Sequence, residues 1–165
     1  MHFALLVVYS ATIFLSAMLL FMVQPLVGKI LLPYLGGTPA VWNTCMVFFQ
    51  ALLLGGYYYA HRLKRVPSLK TQLIIQAVIL ALAIIPLSAF GFRVEMLAKT
   101  ILPTPTESNP IPWLLAVLFL TTGLPFFVVS TTAPLLQRWF AGTNHPAARD
   151  PYFLYAASNL GSMST

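Results

Sequence analysis

Residues 24–65 read QPLVGKILLPYLGGTPAVWNTCMVFFQALLLGGYYYAHRLKR and determine how the rest of the chain is arranged. The stretch begins with a proline-containing hinge, continues as a long apolar run, and ends in three tyrosines and a basic cluster. An apolar run of about 20 residues crosses a bilayer as a helix, with aromatic and basic residues at its ends. Because loops rich in Lys and Arg stay in the cytoplasm, this order predicts a spanning helix whose basic end is cytoplasmic.

The start of that helix has its own signal in the run Gly36-Gly37-Thr38-Pro39. The glycines predict a turn, Thr38 is a typical N-cap, and Pro39 suits the first helical position. This second span is predicted over residues 40–59. Its membrane anchors are predicted to be the aromatic and basic residues Tyr57, Tyr58, Tyr59, Arg62, Lys64 and Arg65.

The composition places the whole chain in a membrane. Of 165 residues, 59% are hydrophobic and 7% are charged, and the mean hydropathy is +0.84. A soluble domain has about a quarter of its residues charged. The net charge of +6 comes from basic residues that mostly flank apolar runs, where they set topology and contact anionic lipid. Nucleic-acid binding is therefore not expected.

Before the hinge, a first span is predicted over residues 3–23. Proline disfavours helical geometry in the residue before it, so Gln24-Pro25 is predicted to close this span. Residues 27–35 are apolar but contain Gly28, Lys29 and Pro33, which predicts a short surface-lying or re-entrant piece. The N-terminus then lies in the cytoplasm and Lys29 on the outer side.

After the basic cluster, a third span is predicted over residues 69–90. The loop that follows contains FRVEMLAKTIL, predicted as a short interfacial helix, and the extended proline-rich connector PTPTESNPIP. A fourth span is predicted over residues 112–132, with a kink at Gly123 and Pro125. Pro134 is predicted to end it, and LLQRWFAG to lie on the membrane surface with Arg138 and Trp139 as anchors.

Asp150-Pro151 predicts the N-cap and first residue of a fifth helix over residues 151–165, too short to cross a hydrocarbon core. The sequence thus predicts an all-α protein: a polytopic transmembrane helical bundle of four full spans plus a partial fifth. Residues 1–165 form one membrane-embedded domain with the N-terminus in the cytoplasm.

Signatures of enzymes and cofactors are absent from the sequence. No glycine-rich nucleotide loop, nucleophile elbow or HExxH motif occurs. The three acids, Glu95, Glu107 and Asp150, are isolated, and the histidines lack the spacing of metal ligands. Cys45 is the only cysteine, so an internal disulfide is excluded. We therefore expect no catalytic residue, no metal site and no cofactor.

Polar residues at membrane depth remain as candidate functional residues, because such side chains usually face a bundle interior or a cavity. They are Gln24, Lys29, Asn43, Gln50, Gln76 and Asn159. We favour interhelical hydrogen bonding as their role. The alternative is a polar path or substrate site near the midplane, to which Gln50 and Gln76 contribute. Lys29 either extends to the outer interface or takes part in gating or anion contact.

Small residues predict where helices approach each other closely. Ala51 and Gly55 have the small-xxx-small spacing of packed membrane helices, and Gly56 and Gly123 add to it. These four residues are the predicted packing positions.

Two long blocks resemble a known family. Residues 16–61, SAMLLFMVQPLVGKILLPYLGGTPAVWNTCMVFFQALLLGGYYYAH, look like the N-terminal membrane region of fused major-facilitator/spermidine-synthase-like bacterial proteins. Residues 123–162, GLPFFVVSTTAPLLQRWFAGTNHPAARDPYFLYAASNLGS, resemble a later block of that region. The resemblance implies a bacterial inner membrane protein and membrane helices that precede a synthase-like domain. The glycine loop and acidic site of that domain are absent here, so no transferase activity is implied.

Two functions are open from the sequence. The favoured one is a non-catalytic accessory subunit that lies in the lipid bilayer and packs against other membrane protein subunits. The alternative is a transporter-like, major-facilitator-related module that moves a small solute such as a polyamine or cation. Scarcity of intramembrane acids weighs against cation transport, since nothing would balance a positive substrate.

Overall fold

The computed structural model describes residues 2–89, 110–143 and 145–165, and every regular element in these ranges is helical. The elements are α1 (His2–Leu35), α2 (Pro39–Leu63), α3 (Leu69–Ala89), α4 (Ile111–Leu118), a π-helical turn (Phe119–Gly123), α5 (Leu124–Ala141), a 3-10 turn (Pro146–Arg149) and α6 (Tyr152–Met163). Helices α4 and α5 continue through the π-turn as one helix. The all-α prediction is confirmed for the described residues.

Three helices in the described ranges are long and apolar enough to cross a membrane. They are Phe3–Leu35, Pro39–Leu63 and Ile111–Ala141. The apolar part of α3, Leu69–Ile85, is shorter, so a fourth full span stays a prediction. The predicted interfacial helix and proline-rich connector fall on residues 92–112, most of which lie outside the described residues.

Helix α1 runs through both of its prolines. The sequence-based end at Gln24-Pro25, and with it the separate surface piece over residues 27–35, is therefore wrong. In hydrocarbon, a broken helix would leave several backbone groups without partners, whereas a proline within a helix removes one hydrogen bond. The continuous helix therefore has a lower free energy than a broken one. At 34 residues α1 is about 51 Å long, more than a hydrocarbon core.

The helix Ile111–Ala141 also continues past a proline. Pro134 lies inside α5, so the predicted end there and the separate surface segment LLQRWFAG are both wrong. The interruption predicted at Gly123 and Pro125 takes the form of the π-turn that ends at Gly123. Thr121 and Thr122 donate their hydroxyls to the carbonyls of Val117 and Leu118 at 2.7 and 2.8 Å, which supplies partners to the last two carbonyls before the π-turn.

Two predicted helix starts have different outcomes. The cap of α2 is confirmed, since the Thr38 hydroxyl accepts from the backbone N–H of Val41 at 3.4 Å and Pro39 is the first helical residue. Helix α6 begins one residue later than predicted. Pro151 occupies its N-cap position without a side-chain hydrogen bond, so Asp150 is not the cap.

Helix α5 lies at the centre of the bundle and packs against α1, α2 and α3. The main core joins α1, α2, α4 and α5 around the fully buried side chains of Leu31, Phe49, Leu114 and Leu118. A second core places Ile13 of α1, Phe140 of α5 and Leu154 of α6 together. The central helix thus contacts the long spans through both cores, whereas the short α6 packs mainly against α1.

Candidate functional site

Gln76 of α3 is hydrogen-bonded to two neighbouring helices. Its Nε2 donates to Oγ1 of Thr131 on α5 at 2.9 Å, and its Oε1 accepts from the Tyr59 hydroxyl of α2 at 3.3 Å. The Thr131 hydroxyl donates in turn to the Val128 carbonyl of its own helix at 2.7 Å. The Gln76 amide thus links α2, α3 and α5 through hydrogen bonds.

Gln72 makes a second contact of the same kind, one helical turn before Gln76. It is 6% exposed, and its Nε2 donates to the carbonyl of Val66, in the loop before α3, at 2.7 Å. Its Oε1 accepts from the indole N–H of Trp139 on α5 at 2.9 Å. Both ends of this buried amide are therefore satisfied.

The four-residue spacing of Gln72 and Gln76 explains why both amides contact α5. Residues four apart lie on the same face of a helix, so Gln72 and Gln76 both face α5. An interhelical hydrogen bond in a membrane protein contributes about 0.6 kcal/mol, and up to roughly 1.7 kcal/mol. The interhelical interpretation holds for Gln76. Sequence reasoning missed Gln72, although its four-residue spacing from Gln76 in an apolar helix was a usable signal.

Gln50 lies on a different face of the bundle from Gln76. Tyr59, which contacts Gln76, follows Gln50 by nine residues, which places the two about 180° apart around α2. Gln50 is exposed, and so is Asn43, seven residues before it on the same face. The structure does not bring Gln50 and Gln76 together, so they do not form one midplane site.

The remaining polar candidates are spread over two further helices. Lys29 is exposed on α1, Gln24 is partly buried one turn and a half before it, and Asn159 is exposed on α6. None of these three has a contact that joins it to Gln72 or Gln76 in the described part of the chain.

The glycine pair of α2 packs against α5, as predicted. A Cβ on Gly56 would overlap the hydroxyl of Ser130, and a Cβ on Gly55 would lie 3.8 Å from the ring of Phe127. Ala51, in contrast, is exposed and takes no part in this contact, so its packing role stays a prediction. The helical positions explain this, because Gly56 lies on the side of α2 opposite the exposed Val47 and Leu54, whereas Ala51 lies beside these two residues.

Gly123 is buried in the π-turn, which packs against α3. The atoms nearest to its missing Cβ belong to Phe119 and Leu118 of the same continuous helix. Two close approaches that sequence reasoning missed involve other glycines. Gly161 of α6 lies against the backbone carbonyl of Phe14, and Gly28 of α1 lies under the ring of Trp42.

The predicted anchors divide into exposed and hydrogen-bonded residues. Tyr57 and Tyr58 are exposed, and the guanidinium of Arg62 lies 6.0 Å from the centre of the Tyr58 ring. The other exposed anchors are Lys64, Arg65 and Arg138. Tyr59 and Trp139 are partly buried, and their polar atoms bind Gln76 and Gln72. The last two therefore hold helices together in addition to any interfacial role.

Two clefts are lined in part by α5. The first, of about 410 Å³, lies at the basic end of the bundle and is lined by Pro67, Leu69, Gln72, Arg138, Trp139, Ala141 and Gly142. The second, of about 270 Å³, lies beside the π-turn and is almost wholly apolar, with Leu19, Leu20, Val23, Thr121, Thr122, Pro125, Phe126 and Val129 around it. We call the first the basic-end cleft.

Known proteins do not identify the chain. Comparison with protein-family models, with curated proteins and with solved structures gives no match. The resemblance to major-facilitator/spermidine-synthase-like proteins therefore stays a prediction. Within the described ranges, no three His, Cys, Asp or Glu residues lie close enough to hold a metal ion.

Proposed function

We propose that this chain is a non-catalytic, integral membrane helical module that packs against another membrane protein through the outer face of α2. The outer face is the exposed stripe formed by Asn43, Val47, Gln50, Leu54, Tyr57 and His61. The observation that carries the proposal is the exposure of two amide side chains on this stripe, Asn43 at its start and Gln50 between Val47 and Leu54.

The spacing of the stripe suits a partner helix. Its members recur at intervals of four and three residues, so they form one seam along α2, and the seam avoids the face that packs on α5. A seam of this period is typical of helices that cross at about 20° in membrane bundles. Val47 is 64% exposed and Leu54 is 70% exposed, so both are available to such a helix.

The two amides favour protein over lipid as the occupant of this face. Lipid tails provide no hydrogen-bond partners, so a polar group that faces them carries its full desolvation penalty. The buried amide of Gln72 and the partly buried amide of Gln76 both have interhelical partners. We infer that Asn43 and Gln50 are satisfied in the same way, by polar side chains of a helix in a different membrane protein.

Location and orientation are part of the proposal. The basic cluster at the end of α2 supports a cytoplasmic position for that end, and hence for the N-terminus. The quoted resemblance supports a bacterial inner membrane as the site of a multi-pass protein with a major-facilitator-like helical arrangement. The alternative of polyamine or cation transport has less support, because Gln76 is engaged by Tyr59 and Thr131.

The proposal is tested by site-specific photocrosslinking in native membranes, followed by the mass of the purified complex in mild detergent. A photoreactive residue at Val47 is compared with one at Ile74 of α3, which is 63% exposed but lies outside the stripe. We expect one crosslinked protein of defined mass at Val47, and lipid alone at Ile74. The double variant Asn43→Leu/Gln50→Leu is expected to abolish both the crosslink and the complex.

Three results would overturn it. A crosslinked product of twice the chain mass would assign the face to a second copy of this chain. Equal protein crosslinking at Val47 and Ile74, or a crosslink that survives the double leucine variant, would remove the special role of the stripe. Flux of labelled polyamine into liposomes that hold the purified chain alone would favour the transporter alternative.

A further inference from the structure

The basic-end cleft lies where the start of α3 meets the last turn of α5. Pro67 and Leu69 form one wall, and Arg138, Trp139 and Ala141 form the other. Gln72 also lines the cleft, and its amide is hydrogen-bonded through Nε2 to Val66 and through Oε1 to Trp139. The hydrogen bond to Gln72 holds the indole of Trp139 in position, so this wall of the cleft has a defined shape.

The charge around the cleft is positive. Arg138 is an exposed lining residue, and the exposed Lys70 directly follows the lining residue Leu69. Asp150, the one acidic residue in the described ranges, lines a separate cleft with Tyr152 and Tyr155. No described carboxylate therefore lines the basic-end cleft to neutralise Arg138.

The lining is divided between polar and apolar atoms, which matches the chemistry of a lipid at the membrane surface. Guanidinium groups bind phosphate oxygens with paired hydrogen bonds, and tryptophan rings prefer the headgroup level of a bilayer. Pro67, Leu69 and Ala141 offer an apolar surface that a free phosphate ion would leave unused. Negatively charged lipids are also concentrated on the cytoplasmic side that the basic cluster predicts for this end.

We propose that the basic-end cleft binds the headgroup of one anionic phospholipid, with Arg138 on its phosphate and the Trp139 ring against its glycerol region. The volume of about 410 Å³ admits a headgroup and the first carbons of its chains. This site is independent of the outer face of α2, since none of its lining residues belongs to the stripe.

Native mass spectrometry of the detergent-solubilised protein tests the proposal, with short-chain phosphatidylglycerol, phosphatidylcholine and inorganic phosphate as probes. We expect phosphatidylglycerol to bind more tightly than phosphatidylcholine. Arg138→Gln should weaken phosphatidylglycerol binding about fivefold, the usual effect of one basic residue near an anionic surface. Arg62→Gln is the matched control, because Arg62 is exposed and basic but lies over Tyr58, away from the cleft lining.

A second variant keeps Arg138 and changes the wall opposite Leu69. Ala141 is exposed, so Ala141→Glu adds a negative charge to the cleft without filling the core, and it should weaken phosphatidylglycerol but not phosphatidylcholine. Equal losses in Arg138→Gln and Arg62→Gln would show a diffuse basic surface and overturn the site. Unchanged binding in Ala141→Glu would do so too. Displacement of the lipid by an equal concentration of inorganic phosphate would assign the cleft to a soluble anion instead.

Discussion

Gly56 of α2 lies directly against Ser130 of α5, so closely that a Cβ on the glycine would overlap the serine hydroxyl and lie 3.0 Å from the serine Cβ. Ser130 is itself fully buried and donates its hydroxyl to the Phe127 carbonyl at 2.6 Å. Neither residue can move aside without disturbing its own helix. This contact sets how closely the second helix approaches the central helix.

Gly56→Ala is therefore expected to separate α2 from α5 and to lower the free energy of unfolding by about 1–3 kcal/mol, the usual effect of overpacking. Gly55→Ala is the control, because its Cβ would meet the Phe127 ring at an ordinary 3.8 Å. Unfolding followed by helicity in a denaturing detergent measures both.

A compensating change makes the test specific to this contact. Ser130→Gly removes both serine atoms nearest to the added methyl, so the pair Gly56→Ala/Ser130→Gly should be more stable than the sum of its single effects. Strict additivity of the two changes would contradict direct contact between these positions.

Gly161→Ala is expected to release α6 from α1. A Cβ at this position would overlap the backbone carbonyl of Phe14, and a backbone atom cannot turn away as a side chain can. We predict faster amide hydrogen exchange throughout Tyr152–Met163, with little change in α2. Gly37→Ala is the control, since its nearest neighbour is a flexible Leu32 methyl at 3.6 Å. Unchanged exchange in α6 would mean that the crossing tolerates a wider spacing.

The sequence predicts some of these features and not others, for physical reasons. The cap at Thr38 was predictable because an N-cap and a proline at the first helical position act over a few residues. Pro25 and Pro134 led to helix ends that the structure does not have. A helix ends readily before proline where water can hydrate the freed backbone groups, whereas hydrocarbon penalises any break in a helix. The contact of Gly161 with Phe14 joins residues far apart in sequence, and no local pattern reports it.

The glutamine contacts show the same limit. An amide at membrane depth predicts that a partner exists, but its identity depends on the relative rotation of helices. Gln76 and Gln50 have equal standing in the sequence, and one proves to be shared among three helices while the other is exposed. Only the packed bundle separates them.

Gln72→Leu is predicted to destabilise the protein more than Gln76→Leu. Removal of the amide of Gln72, the more buried of the two glutamines, leaves the partly buried Trp139 N–H and Val66 carbonyl without their partner, at a cost of about 1–3 kcal/mol. Removal of the Gln76 amide leaves Thr131 still bonded to Val128 and only the partly buried Tyr59 hydroxyl without its acceptor, so a loss of about 0.6–1.7 kcal/mol is expected.

The measurement is unfolding in denaturing detergent, with a double-mutant cycle between Gln76→Leu and Thr131→Val. The cycle should give a coupling energy of about 0.6 kcal/mol. A coupling energy of zero would show that the Gln76–Thr131 hydrogen bond does not stabilise the protein, whatever the single variants do to the free energy of unfolding. If Gln72→Leu and Gln76→Leu lower the free energy of unfolding equally, the hydrogen bonds of Gln72 are no better shielded than those of Gln76.

Cys45 provides an internal reporter of the packed bundle, because it is 3% exposed and belongs to the main core. A folding free energy of about 5 kcal/mol leaves roughly one molecule in several thousand open, so maleimide should label the native thiol more than about a thousandfold slower than an open one. Gly56→Ala should accelerate this labelling, since it loosens the helix on which Cys45 lies.

Detergent around the apolar helices could also slow the reagent, and a neighbour on the same helix separates the two causes. Val47 lies two residues from Cys45 at the same depth but is 64% exposed. In the purified chain, the variant Cys45→Ala/Val47→Cys should therefore be labelled rapidly while the wild-type thiol is not. If both thiols react equally slowly, detergent is the barrier. If both react equally fast, Cys45 is not in a packed core, and the arrangement of α1, α2 and α4 around it must differ.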